Sequence, residues 1–184
     1  MILPIYAFGS PVLRKKCEEI TENYPNLKEL IANMHETMYD SNGIGLAAPQ
    51  IGVAIRLFIL DGSPIEDIKP TKFKQTIINP TILNEWGEPW RYEEGCLSIP
   101  TIRENVMRKP ELTIRYYDED FKVHEENFDG MAARIIQHEF DHIEGKLFTD
   151  HISPLKRNLL KAKLANISAG RVNHDYKMRF PVKK

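Results

Sequence analysis

The centre of this sequence is the stretch Gln137-His138-Glu139-Phe140-Asp141-His142. Residues four positions apart on an α-helix lie one above the other on the same face, so both imidazoles can bind one metal ion. Glu139 follows His138 directly and can handle a proton on a water bound to that ion. The stretch therefore predicts a helix that carries half of the metal site of a hydrolase.

The helix around this stretch is expected to begin after Asp129, a favourable N-cap, and to end near Glu144, before Gly145. Apolar residues cover nearly every side of it, namely Met131, Ile135, Ile136, Phe140 and Ile143. A helix with this pattern is usually buried. Burying two histidines and a glutamate is costly without strong partners, and metal coordination removes that cost.

The third ligand determines the class of enzyme, because a catalytic zinc or iron site has three protein ligands and an open position for water. A metzincin peptidase would have a third histidine where this chain has Phe148. Peptidases whose third ligand is a glutamate further along the chain are also disfavoured, because no glutamate follows Glu144. The candidates that remain are the aspartates, His151, His174 and Cys96. Cys96 is the strongest, since a thiolate is a soft anionic ligand and Gly95 permits close approach of the backbone.

Other interpretations of these residues stay open. The histidines can be ordinary core residues, with Cys96 an inert buried thiol. A structural zinc module that binds RNA would need a fourth ligand, for which Cys17 is the candidate, and would give Glu139 no role. A metallopeptidase is the alternative within the hydrolases. Glu139→Ala separates a hydrolase from a structural module, because only the hydrolase loses its turnover.

Hydrophobic periodicity predicts two more helices, which flank a β-rich middle section. The first covers about 26–40 and ends at Asn42 and Gly43, which suit a helix C-cap. The last begins at Ser153 and Pro154. Its predicted docking stripe consists of Leu155, Leu159, Leu160, Leu164 and Ile167.

The predicted strands are 55–60, 76–83, 111–117 and 121–128, with short connections at 61–62 and 86–87. Helices and strands that segregate in this way predict an α+β fold. In that fold the β-rich section packs around the buried H-E-x-x-H helix, with one helix before it and one after it.

The composition is that of a soluble globular protein. Of 184 residues, 42% are hydrophobic and 28% are charged, which fits one domain with a sizeable core. No apolar run approaches the roughly 20 residues of a membrane span, and the start of the chain lacks a signal-peptide pattern. With only Cys17 and Cys96 as cysteines, the chain is expected in the reducing cytoplasm with two free thiols.

The net charge of −1 hides an asymmetry along the chain. Residues 155–184 contain nine Lys or Arg against one acid, Asp175, a net charge of +8, which leaves −9 for residues 1–154. We predict a single catalytic domain at 1–168 and a basic C-terminal tail at 169–184. One interpretation of the basic region is a solvated helix face with a disordered tail, and the other is a contact surface for a polyanion such as RNA.

Three blocks of this sequence resemble the peptide deformylase family in order and in spacing. They are residues 43–52 (GIGLAAPQIG), 94–100 (EGCLSIP) and 137–142 (QHEFDH). The resemblance runs from the N-terminus to about residue 152. It implies a hydrolase that removes the N-formyl group from the initiator methionine of new proteins and releases formate.

The family pattern assigns one divalent metal ion to Cys96, His138 and His142. The ion is usually iron(II), and zinc, nickel or cobalt can occupy the site. Glu139 would take a proton from the attacking water and pass it to the leaving amine. The Gln50 side-chain amide and the Leu97 backbone N–H would meet the negative oxygen that forms during the attack.

The resemblance also assigns a pocket for the methionine side chain to Ile44, Tyr92, Met131 and Ile135. Gly45 is expected to hydrogen-bond the peptide backbone of the substrate. Core packing is the alternative for Met131 and Ile135.

Two further expectations concern charged residues near this pocket. Arg134 is expected on the His138 face of the helix, one turn earlier. It departs from family members with an aliphatic residue there, so the resemblance leaves the rim of the pocket and its preference beyond methionine open. Glu94 is expected to contact the metal ligands without binding the metal itself, and to pair with Arg103 or Arg108.

The implied partners are N-formylmethionyl nascent peptides, with no contact to membranes or DNA expected. The basic C-terminal helix would dock on the ribosome. Deletion of 155–184 is then expected to weaken ribosome binding and to leave the activity on small formyl-peptides intact.

Overall fold

The computed structural model describes residues 1–66, 68 and 73–181. Within these ranges the chain forms three α-helices and nine strands. The helices are α1 (Leu27–Asp40), α2 (Gly130–Ile143) and α3 (Pro154–Ser168). The strands are β1 (Ile5–Tyr6), β2 (Gly45–Ala47), β3 (Leu57–Asp61), β4 (Lys74–Trp86), β5 (Trp90–Cys96), β6 (Ile99–Arg108), β7 (Glu111–Tyr117), β8 (Val123–Asp129) and β9 (Met178–Arg179). The predicted α+β class is confirmed.

All three helices begin close to their predicted starts, and α1 and α2 also end close to their predicted ends. Asp129 is the N-cap of α2 and Glu144 its C-cap, and Gly145 follows with a φ of +72°, which favours glycine. Ser153 caps α3, because its side chain accepts a hydrogen bond from the backbone N–H of Lys156 at 3.3 Å. None of the helices in the described ranges is long and apolar enough to cross a membrane.

Five strands form an antiparallel sheet in the order β2-β3-β4-β7-β8. All residues of β3 are buried. Leu57 and Ile59 pack into the same cluster as α1, whereas Phe58 and Leu60 pack into the same cluster as α2. Because successive side chains of a strand point to opposite faces, the sheet separates the two helices. The apolar run at this strand is the pattern of a strand covered on both faces, and α2 is buried as predicted.

The strand predictions were less accurate at their ends. β4 is longer than predicted, and β8 begins only at Val123 because Phe121 lies in the preceding turn with a φ of +55°. The predicted short connection at 61–62 is wrong. β3 ends at Asp61 and β4 begins at Lys74, and part of the segment between them lies outside the described residues.

β5 and β6 form a separate two-stranded antiparallel sheet, which is absent from the strands predicted from the sequence. Arg91, Tyr92 and Glu93 of β5 are all exposed, so this strand lacks the alternation of apolar and polar residues that identifies most strands. The hairpin matters for the site, because Cys96 is the last residue of β5 and stands at the turn into β6.

The docking stripe predicted for α3 is partly wrong. Leu164 and Ile167 are buried and Leu160 is half-buried against the same cluster, but Leu155 and Leu159 are 71% and 72% exposed. At about 100° per residue, Leu155 and Leu159 lie about 140° and 100° round the helix from Leu160, outside the narrow buried face. Burial of Leu164 and Ile167 contributes about 1.5–3 kcal/mol each to holding α3 on the body.

The described part of the predicted basic tail returns to the body of the protein. β9 pairs in parallel with β1, and the backbone N–H groups of Ile5 and Ala7 donate to the carbonyls of Lys177 and Arg179 at 2.8 and 2.9 Å. This pairing contradicts the interpretation of the basic tail as solvated and disordered, as far as the tail is described. Residues 183 and 184, two of the nine basic positions, lie outside the described residues. The division of the chain at residue 168 stays a prediction.

Candidate metal centre and active site

The structure brings together the three residues expected to bind a metal. Cys96 comes from the end of β5, and His138 and His142 come from successive turns of α2. One possible ligand atom from each residue lies within 4.8 Å of the other two. The Cys96 Sγ lies 3.3 Å from Nε2 of His142, and the centroids of the two imidazole rings are 5.1 Å apart. A strand and a helix thus converge on one point, as the sequence predicts.

Cys96 and His138 form an ion pair at this point, and a metal ion would take the place of the proton that they share. Burial would raise the pKa of the Cys96 thiol, but the positive charge of His142 and hydrogen bonds with both histidines lower it to about 5. Burial would lower the pKa of His138, yet hydrogen bonds with Cys96 and Glu94 raise it well above its usual value. A thiolate beside two imidazoles is a donor set that fits a divalent transition-metal ion.

The other ligand candidates lie elsewhere. His151 hydrogen-bonds the Asp141 carboxylate at 2.7 Å, and Nδ1 of His174 donates to the Tyr176 carbonyl at 2.8 Å. Among the described residues, the cluster of potential ligands has three members and no fourth. Cys17 is a free, buried thiol away from it, which disfavours the structural zinc module.

Glu94 holds the outer nitrogen of one ligand. Its Oε2 lies 3.0 Å from Nδ1 of His138, so Nε2 is the nitrogen of that ring left for a metal. Arg108 donates to both carboxylate oxygens at 2.7 and 2.9 Å, and Arg134 donates to Oε1 at 2.6 Å. Burial would raise the pKa of Glu94, but hydrogen bonds with His138 and Arg108 hold it well below its usual range. A carboxylate behind a ligating histidine fixes the orientation of the ring.

Of the two arginines expected to pair with Glu94, Arg108 does so and Arg103 does not. Arg103 lies opposite Gly95 in the hairpin and Arg108 lies opposite Trp90. Because neighbours along a strand point to opposite faces, Arg108 shares the face of Glu94 and Arg103 does not. The Arg103 guanidinium is 3.9 Å from Glu93 instead, and both side chains are largely exposed.

Arg134 takes the place that was expected for Arg103. It is 2% exposed, stacks over the Trp90 ring at 4.3 Å and donates to the Trp90 carbonyl at 2.7 Å. The guanidinium is thus buried against Glu94, although Arg134 also lines the cavity. Its position one helical turn before His138 was the signal in the sequence that could have revealed this pairing.

Glu139 is a buried carboxylate with one oxygen that makes no hydrogen bond within the described part of the chain. Its Oε2 has no hydrogen-bond partner among the described residues. Burial raises the pKa of Glu139, against the opposing positive charges of His138 and His142. A Cβ atom at Gly45 would lie 2.5 Å from Oε1 of Glu139, so glycine at that position leaves room for the carboxylate. Such a group suits proton transfer near neutral pH better than an exposed glutamate.

Gln50 and Leu97 lie beside the three candidate ligands. The Gln50 side chain accepts a hydrogen bond from the Ala47 N–H at 2.8 Å, which turns its amide NH₂ towards the site. That NH₂ group is 3.3 Å from the hydroxyl of Ser98 and 3.5 Å from the Cys96 sulfur. Leu97 follows Cys96 and precedes Ser98 in the sequence, in the turn that joins β5 to β6. Ser98 is fully buried and was not singled out in the sequence.

A cavity of about 500 Å³ opens onto this group. It brings together all five residues expected to bind the substrate and most of the predicted catalytic and metal-binding residues. Its lining includes Ile44, Gly45, Gln50, Tyr92, Glu94, Cys96, Leu97, Met131, Arg134, Ile135, His138 and Glu139. Ile135 is buried and Tyr92 is 45% exposed, so one apolar side chain of the lining lies inside the protein and another borders the open side of the cavity.

Comparison with known proteins places the chain in a family. The family model described as Polypeptide deformylase matches residues 2–158. The peptide deformylases of Christiangramia forsetii and Flavobacterium psychrophilum are each 53% identical to this chain; the alignments cover 98% and 100% of it and 97% and 100% of those proteins.

Solved structures of peptide deformylases have the same fold as this chain. The crystal structure of a peptide deformylase from Legionella pneumophila has a TM-score of 0.82 at 37% identity, over 93% of this chain and 98% of that one. The Thermotoga maritima peptide deformylase has a TM-score of 0.76 at 41% identity, over 84% of this chain and 99% of that one. With this fold, this cluster of sulfur and imidazoles and these relatives, the chain belongs to the peptide deformylase family, metal-dependent hydrolases that remove the N-formyl group from newly made polypeptides.

Proposed function

We propose that the cavity at the end of β5 is the place where this chain hydrolyses the formyl amide of N-formylmethionyl polypeptides in the cytoplasm. The observation that carries the proposal is the meeting of Cys96, His138 and His142 beside the buried carboxylate of Glu139. Four groups of this kind at the floor of an open cavity are what a hydrolytic metal site requires.

Cys96, His138 and His142 would hold the ion, and we propose iron(II) as the natural metal, as is usual in the family. Zinc, nickel and cobalt also suit two imidazoles and a thiolate. When bound, such an ion activates water and polarises a carbonyl group. The contribution of the protein is to keep the three donors in place, which Glu94 does for the His138 ring.

Glu139 would act as the general base and then as the general acid. Its raised pKa brings it closer to neutrality, where a group accepts and returns a proton most effectively. The unpartnered Oε2 leaves one oxygen free to take the proton of the attacking water. The same carboxyl would then deliver this proton to the nitrogen of the leaving methionine.

The formyl oxygen becomes negative during the attack and needs hydrogen-bond donors in fixed positions. We assign the Gln50 amide and the Leu97 N–H to this role. The hydrogen bond from Ala47 to Gln50 supports the assignment, because it orients the donor end of the amide towards the cavity.

The methionine side chain would enter the apolar part of the cavity, between Ile44, Tyr92, Met131 and Ile135. Gly45 lies on β2, at the edge of the large sheet, where an extended peptide can pair with the strand. Arg134 also lines the cavity, and its guanidinium stacks on the Trp90 ring.

The proposal predicts that protein purified without air contains about one iron(II) ion per chain and releases formate from a formyl-Met peptide. Removal of the ion by a chelator should abolish formate release, and addition of iron(II) or nickel should restore it. Elemental analysis and a formate assay measure both quantities. The matched control is the same peptide with an acetyl group in place of the formyl group. Protein with a full complement of metal and no formate release would contradict the proposal.

We also propose that exposed basic side chains of α3 bind the ribosome. Lys161 and Lys163 are exposed on two different sides of this helix, whereas Lys156 pairs with Glu104 and Arg157 donates to the Asp150 carbonyl. Deletion of 155–184 would remove the buried Leu164 and Ile167 together with the basic residues. Substitutions of exposed lysines test the charge alone.

The double variant Lys161→Glu/Lys163→Glu is expected to weaken ribosome binding at least tenfold and to reduce its dependence on salt, because it replaces attraction to RNA phosphates by repulsion. Sedimentation with ribosomes at two salt concentrations measures this. Lys15→Glu/Lys28→Glu makes the same change in net charge at exposed positions off α3 and should bind normally. Equal weakening in both variants would exclude a specific role for α3.

A further inference from the structure

The C-terminal segment reaches the turn that carries the active site. The hydroxyl of Tyr176 donates a hydrogen bond to the backbone carbonyl of Leu97 at 2.7 Å. Tyr176 and Leu97 are half-buried and pack against the same hydrophobic cluster. The two residues are 79 positions apart, so the contact ties the end of the chain to the residue beside the candidate ligand Cys96.

Within the described part of the chain, the other hydrogen bonds to the turn between β5 and β6 are made to Ser98. The Phe8 N–H donates to the carbonyl of Ser98 at 2.8 Å, and the Gln50 amide reaches the hydroxyl of Ser98 at 3.3 Å. These bonds hold Ser98, whereas the carbonyl of Leu97 is held by Tyr176. The next residue, Lys177, accepts a hydrogen bond from the Ile5 N–H at 2.8 Å. Tyr176 is thus fixed at its own backbone by the pairing of the C-terminal segment with the start of the chain.

We propose that Tyr176 is a positioning residue for deformylation, which acts by holding the Leu97 backbone so that its N–H faces the oxygen of the formyl group. The proposal rests on the proposed function, and in particular on Leu97 as a donor to the developing negative charge. A donor contributes most to catalysis when it is fixed before the reaction and need not be reoriented during it. A bond to the Leu97 carbonyl limits rotation of the two peptide units around that residue.

The chemistry of the hydroxyl suits this role. Burial raises the pKa of Tyr176, and the negative charge of Cys96 raises it further. The phenol therefore stays protonated and remains a donor at any pH at which a hydrolase of this kind works. A carbonyl that accepts this bond from a half-buried phenol is also shielded from competing water.

Tyr176→Phe is the test, because it removes one oxygen and keeps the ring. We expect kcat for formate release to fall about 3- to 10-fold with KM unchanged, the size of effect that one lost hydrogen bond produces. A change in kcat alone indicates an interaction that strengthens in the transition state. The matched control is Tyr24→Phe, since Tyr24 packs against the same hydrophobic cluster. That variant should keep both constants within twofold of the original protein.

A second measurement does not depend on activity. Hydrogen–deuterium exchange of the peptide that contains residues 96–98 should become about 3- to 10-fold faster in Tyr176→Phe and stay unchanged in Tyr24→Phe. If the unsubstituted protein releases no formate, the proposed function fails, but the exchange result still decides whether Tyr176 holds the turn.

Three results would overturn the inference. One is a kcat within twofold of the original value. Another is an unchanged exchange rate in the turn. The third is a loss of metal or of thermal stability in proportion to the loss of activity, which would make Tyr176 a support of the whole fold and not of Leu97.

Discussion

Glu139→Gln is expected to lower kcat for formate release by a factor of about 10²–10⁴, the usual contribution of a general acid–base residue. The metal content should stay unchanged, because Glu139 is not a member of the Cys96, His138 and His142 cluster. Glutamine has the shape of glutamate, so it fits the space against Gly45, where a Cβ atom would lie only 2.5 Å from the carboxylate. What the variant loses is the ability to accept a proton.

The measurement combines steady-state kinetics with elemental analysis of the same preparation. Glu93→Gln removes one negative charge from the lining of the same cavity, at a side chain that is 58% exposed, and should leave kcat within twofold. A Glu139→Gln protein that keeps its metal and more than a tenth of the original kcat would show that another group transfers the proton.

Glu94→Gln is expected to destabilise the protein by about 3–5 kcal/mol, the typical cost of removing one partner from a buried ion pair. Glu94, Arg108 and Arg134 are each at most 6% exposed, and the substitution leaves both guanidinium groups buried with less negative charge to balance them. For a chain of this length the loss corresponds to a decrease in Tm of about 6–20 °C. Metal affinity should also fall about 10- to 100-fold, because the His138 ring loses its charged partner.

Thermal unfolding and a competition assay with a chelator measure the two effects. Glu125→Gln serves as the matched control, because Glu125 pairs with Arg115 at 2.8 Å on two neighbouring strands, with both side chains more than half exposed. Its stability should change by less than about 0.5 kcal/mol. If Glu94→Gln is no less stable than Glu125→Gln, the buried charges contribute nothing net to folding.

The residues that meet at the site could be predicted from the sequence because their chemistry is rare and their spacing is fixed. Two histidines four positions apart on a helix share a face wherever that helix lies. The burial of α2 followed from the apolar residues around it, and Cys96, which the structure places beside the two histidines, was the strongest of the remaining ligand candidates. Local patterns of this kind depend little on the rest of the chain.

The contacts that the sequence did not reveal join residues far apart or lie in polar segments. The β5–β6 hairpin was missed because its first strand is mostly charged and exposed. The pairing of Glu94 with Arg134 depends on the distance between a strand and a helix, and the bond from Tyr176 to Leu97 joins residues with no common periodicity. Such contacts follow from tertiary packing, which overrides local propensity.

The cavity has two unlike walls. One is β2, attached to a strand whose residues are all buried, and the other is the hairpin that presents Tyr92 and Arg103 to solvent. Substitutions are therefore tolerated better in the exposed hairpin than in the buried strands of the other wall. If the cavity binds the nascent chain as we propose, exchange of the exposed hairpin residues is expected to alter the selectivity for the amino acids after methionine, while the buried strands keep the reaction geometry intact.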